Sequence, residues 1–114
     1  MNRDLELARR AVACKHWRWV PGMLTEGWRL ACVSLHDGAW SATSALAHRE
    51  YHYPTLPDLT DPATLGCLLA LVREAWDDRY LCASLSPRKL WMVDGWSLHD
   101  TEAEALVAAL EAAP

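Results

Sequence analysis

Asp61–Asp78, DPATLGCLLALVREAWDD, is the stretch whose reading decides the fold. Asp61 offers a side-chain acceptor to the first free amides of a helix, and Pro62 fits the first helical position, where no amide donor is needed. Leu65, Leu68, Leu69, Val72 and Trp76 then recur at helical spacing on one face. Cys67, Ala70, Leu71 and Ala75 widen that stripe until only Arg73, Glu74, Asp77 and Asp78 clearly favour water. A helix this apolar must be covered on most sides, so it is predicted to be the central buried helix of a small core.

Downstream of it, Tyr80–Leu85 and Leu90–Val93 suit two strands joined at Ser86-Pro87-Arg88, with a second turn signal at Asp94-Gly95. Thr101-Glu102-Ala103-Glu104 has the spacing of a capping box, and a closing helix follows with Leu106, Val107 and Leu110 inward. Upstream, Asp4 is placed to cap a first helix running to about Cys14. Leu5, Ala8 and Val12 would form its inner stripe, and Glu6 is spaced to pair with Arg10. Trp17 and Trp19 alternate around Arg18 in a short extended piece that ends at Pro21-Gly22. A short strand near Met23-Leu24 turns at Glu26-Gly27 into Trp28–Leu35, and Asp37-Gly38 signals a hairpin back through Ala39–Leu46. Between Ala47 and Thr60, Pro54 and Pro57 forbid a regular helix, so this segment reads as a long loop.

The expectation is one α+β domain spanning 1–114, a small sandwich of an antiparallel sheet of four or five strands packed with three helices. Its order is α-β-β-α-β-β-α, with helices near 4–14, 62–77 and 102–112. The predicted core is Leu5, Val12, Leu30, Cys32, Leu65, Leu68, Leu69, Val72, Trp76, Leu81, Trp91, Val93, Leu106 and Leu110. An apolar helix and seven tryptophans in a small chain also predict a homodimer that buries part of this surface.

Charge and composition narrow the function. The formal net charge of −4 argues against general nucleic-acid binding, which needs a basic surface. No segment has the length of a membrane span, so no membrane partner is expected. The charged start MNRDLELARR lacks the apolar run of a signal peptide and points to the cytoplasm. Cys14, Cys32, Cys67 and Cys82 contain no CxxC pair, and each sits in or beside an apolar segment, as free thiols do.

Catalytic signatures are missing. There is no GxSxG, HExxH or Gly-rich phosphate loop, and no cofactor is expected. Cys14-x-His16, with His36 or His99, could supply metal ligands, but without a second tight pair the zinc signal is weak. His48 and His52 have a helical ligand spacing in a segment that Pro54 keeps from being helical. Ser34-Leu35-His36-Asp37 recurs as Ser97-Leu98-His99-Asp100. Turn and cap preferences alone account for both aspartates. Binding residues stand out more. Lys15, Trp17, Arg18 and Trp19 set cations beside rings, and Arg49, Tyr51 and Tyr53 do the same in the long segment. Such mixtures suit a protein's anionic edge or a nucleotide, although Trp17 and Trp19 equally suit a plug for the end of the core.

Arg10–Met23, RAVACKHWRWVPGM, and Asp58–Trp76, DLTDPATLGCLLALVREAW, together with the closing TEAEALVAALEAA, resemble small uncharacterised proteins of tailed bacteriophages and prophages. The layout is also similar to the small α/β/α sandwich proteins of phages. The resemblance covers under half the chain and carries no reaction. It implies a phage-type accessory protein working in a bacterial host cytoplasm. The function expected is binding of a host protein, with counteraction of host defence as its purpose. Sequestration of a small nucleotide is the alternative, and a metal-dependent hydrolase or nuclease comes third.

Overall fold

The computed structural model describes residues 3–33, 38–44, 49–93 and 98–114, with the side chains of Val33 and Arg49 outside that set. Three helices, α1 (Arg3–Ala13), α2 (Pro62–Ala75) and α3 (Glu102–Ala112), alternate with six strands. These are β1 (Leu24–Thr25), β2 (Trp28–Val33), β3 (Trp40–Thr43), β4 (Arg49–His52), β5 (Ala83–Leu85) and β6 (Trp91–Val93). All pairings are antiparallel, as an α+β fold requires, but the strands divide into two sheets, β1-β2-β3-β4 and β5-β6. The expected loop 47–60 contains β4, which pairs with β3 from Trp40↔His52 to Thr43↔Arg49. Pro54 and Pro57 do bar regular structure, but only after the strand has ended. The SLHD copy at 34–37 lies outside the described residues, as do His48, the Asp94-Gly95 turn signal and Ser97.

Helix caps follow the sequence closely. The Asp61 carboxylate accepts from the Thr64 amide at 2.9 Å, and Thr101 Oγ1 accepts from the Glu104 amide at 3.1 Å. Asp4 instead lies inside the first turn of α1, where a carboxylate still favours the positive helix end. Arg10 bypasses Glu6 and forms a bidentate pair with Glu111 of α3 at 2.6 and 3.1 Å. That choice ties two helices together instead of one turn to the next.

The centre of the core is α3 and not α2. Ala103, Ala105, Leu106, Val107, Ala109 and Leu110 are all buried, whereas α2 buries Thr64, Leu68, Leu71 and Val72. Small alanines allow α3 to lie close to α1, α2, β5 and β6 at once. The Trp76 indole donates to the Ala109 carbonyl at 2.8 Å and locks the end of α2 onto α3.

Two expected core residues face outward. On α1 the buried stripe is Leu7, Ala8 and Ala11, rotated roughly a quarter turn from the predicted one, and Leu5 is 43% exposed. On β2 the register shifts between Leu30 and Cys32, so the extra residue of a bulge turns Cys32 away from the face that Leu30 buries. Met23, Trp40 and Ala42 fill the interior instead.

Candidate functional site

The Trp17–Trp19 segment is built as its alternation implies. The two rings meet edge to face, 5.3 Å between centroids and 87° between planes, and both pack against the core. Lys15 and Arg18 are exposed. Arg18 forms a fork-to-fork pair with Glu74, at 2.7 and 2.8 Å, near the C-terminal end of α2. The arginine holds the Glu74 carboxyl below its ordinary range, and the carboxylate raises the guanidinium's proton affinity in turn. An anionic ligand would therefore have to displace Glu74. The Trp17 indole nitrogen is buried without an acceptor among the described residues. These features fit a plug for the core end better than an open stacking platform.

Arg49, Tyr51 and Tyr53 arrive on a different element. Arg49 opens β4, the outermost strand of the larger sheet. Tyr51 lies 76% exposed and Tyr53, just past the strand, 58% exposed. His52, between them, turns inward and stacks on Trp28 across the sheet at 5.8 Å and 20°. This inward anchor holds the strand while Tyr51 projects into water.

The chain then crosses to the opposite edge of the same sheet. Thr25 Oγ1 donates to the Leu56 carbonyl at 2.6 Å, the Asp58 amide donates to the Leu24 carbonyl at 2.8 Å, and the Thr55 hydroxyl bonds the Glu26 carboxylate. Residues 55–58 thereby cover β1. Glu26 and Gly27 form the two-residue turn between β1 and β2, both in the left-handed region with φ of 50° and 84°. Glycine tolerates this; glutamate does so at a cost on the order of 1–2 kcal/mol. Between this turn, α1 and residues 55–60 lies a groove of about 530 Å³ lined by Asp4, Leu5, Glu26, Leu56, Asp58 and Leu59, among others. Sequence reading had assigned Leu5 to the core, Glu26 to a turn and residues 56–60 to a connector. No local signal brings them together.

A polar network joins α2 to the sheet. Arg29 donates to Asp61 at 2.5 and 3.1 Å and to the Gly22 carbonyl at 3.0 Å, and Thr64 Oγ1 accepts from the Leu24 amide at 2.9 Å. The Arg29 guanidinium, helped by Thr64, pulls the Asp61 carboxyl down to about 2. Cys67 stands nearby with its thiol 3.6 Å from the Pro21 carbonyl. Burial pushes its proton affinity up against the opposing pull of Arg29, so it is a poor nucleophile. All four cysteines are free.

His16 and His99, two of the candidate ligands, are held by different partners. His16 Nε2 donates to the Pro114 carbonyl at 2.7 Å, and His99 bridges Trp91 through its backbone. Among the described residues no three His, Cys, Asp or Glu side chains converge in a way that could hold a metal ion. The groove that unites arginines with a ring, Arg73 and Arg79 with Tyr80, also holds Glu74, Asp77 and Asp78, which repel phosphate. Among the described residues no helix is long and apolar enough to cross a membrane. Comparison with protein families, curated proteins and solved structures found no match to the chain.

Proposed function

We propose that this chain is a phage-type accessory protein that acts by binding a protein of its bacterial host, to the detriment of host defence. The observation that carries the binding reading is the pair of tyrosines at an edge of the larger sheet, Tyr51 on β4 at 76% and Tyr53 just past it at 58% exposure. Tyrosine offers a large amphipathic contact area at little conformational cost, and such rings anchor interfaces. An edge strand adds backbone groups that a partner's extended segment can pair with. Nucleotide sequestration is the weaker reading, because the groove that sets Arg73 and Arg79 beside Tyr80 is also lined by Glu74, Asp77 and Asp78, whose charge opposes a phosphate.

The test is affinity capture from a bacterial host lysate, with proteins and bound small molecules both identified by mass spectrometry. A specific host protein should be recovered with the wild type and lost with Tyr51→Ala/Tyr53→Ala, while circular dichroism stays unchanged. Recovery of a nucleotide and no protein would overturn the reading. Retention of the partner by the double variant would move the contact face elsewhere, with Arg18→Ala as the next variant to examine.

A further inference from the structure

The groove between α1, the Glu26-Gly27 turn and residues 55–60 differs in its charge from three others among the described residues. Three other grooves each contain arginine, one of them with Lys15 as well, beside their acids. This one is lined by Asp4, Glu26 and Asp58 and, among the described residues, by no basic side chain. None of these three carboxylates takes part in an ion pair among the described residues. Asp58 is occupied by the Thr60 amide and hydroxyl, at 3.0 and 2.5 Å, and Glu26 by the Thr55 hydroxyl. Those bonds orient Glu26 and Asp58; Arg29 attracts Asp58 in part, while Asp4 and Glu26 have no cationic partner among the described residues. Between them the surface is apolar: Leu5 projects at 43% exposure, Leu56 is half-buried and Leu59 closes the floor. Leu5 is off the buried stripe of α1, so the core gains little from a leucine there.

We infer that this groove is a docking site for a basic, leucine-bearing peptide segment of a protein partner. An apolar side chain would cover Leu5 and Leu56, and flanking lysine or arginine would meet Asp4 and Glu26. The inference rests on the protein-binding reading above and names the chemistry of that partner. Thr55 follows Tyr53 by two residues and Tyr51 by four, so the groove lies within about 7 Å of Tyr53 and about 14 Å of Tyr51 along the backbone. A single extended segment can run from one to the other.

Isotope-labelled full-length protein is titrated with an amidated, acetylated peptide of about eight residues carrying two leucines flanked by lysine and arginine. Its counterpart has glutamate at every basic position. The basic peptide should shift the amide resonances of Leu5, Glu26, Gly27, Thr55, Leu56 and Asp58–Thr60, and the acidic one should not. Asp4→Asn/Glu26→Gln should weaken binding roughly tenfold, as should raised salt, because the attraction is between exposed charges. Leu5→Ser should weaken it comparably with the fold retained. Shifts on another face, or affinity unchanged in both variants, would overturn the assignment. Equal saturation by a short alkyltrimethylammonium would reassign the groove to small apolar cations. Groove shifts that depend on protein concentration alone would reassign it to a second copy of the chain. The two readings separate in the capture experiment. A partner lost with the tyrosine variant but kept by Leu5→Ser/Asp4→Asn/Glu26→Gln refutes only the groove. A basic peptide that binds as described, with no host protein captured, refutes only the host-protein reading.

Discussion

Asp61 does three things with one carboxylate: it caps α2, accepts from the Thr64 hydroxyl at 2.8 Å and pairs with Arg29. Its folded proton affinity is below the unfolded one, so the stabilisation is fully present above pH 4 or so and is lost as pH falls toward about 2. Arg29 is 40% exposed and solvent screens the pair, which leaves about 1–2 kcal/mol. Asp61→Asn keeps a good cap and removes the charge. It should cost that amount at pH 7, and the gap from wild type should shrink through pH 3, as read by urea unfolding. A gap that does not change with pH would mean the pair contributes nothing. At the turn, Glu26→Asn suits the left-handed region and should stabilise by about 0.5–1 kcal/mol, net of one exposed hydrogen bond. Gly27→Ala should cost about 1 kcal/mol. An added Cβ there would meet nothing within 4 Å, so the loss is one of backbone conformation alone.

Among the elements, α3 and α2 exchange the roles that their sequences suggest. Both are apolar, but α3 is rich in alanine and can approach four neighbours, while α2 keeps Ala63, Gly66 and Ala70 at the surface. Leu106→Ala and Leu68→Ala remove fully buried side chains and should each cost about 2–5 kcal/mol in thermal or denaturant unfolding. Leu5→Ala should cost under about 1 kcal/mol, since much of that side chain is already in water. Comparable losses at all three positions would refute the observed phase of α1. That phase was not legible because Leu5 and Leu7 are both apolar, and a helix alone offers either stripe to a partner. The boundaries of α2 and α3 were legible, because Asp61, Pro62 and Thr101 act within a turn of their own positions.

For the whole molecule, the alternation of segment types determined the class: three helices, antiparallel strands and the Glu26-Gly27 turn all follow from spacing and local backbone preference. Of the binding residues named from sequence, Tyr51 is exposed on the edge strand β4 and Tyr53 just past it, while Arg18 is committed to Glu74. What local preference could not supply was everything fixed by neighbours distant in sequence. The strand at Arg49–His52 exists because β3 offers it hydrogen bonds, and the bulge that expels Cys32 exists in the pairing of β2 with β3. The acidic groove forms because residues 55–58 bond back to β1 and bring Leu56 and Asp58 beside Leu5. Caps and turns depend on a few adjacent residues, so the sequence determines them alone. Register, helix phase and the meeting of Leu5 with Leu56 depend on which surfaces compete for burial, and only the assembled chain decides that.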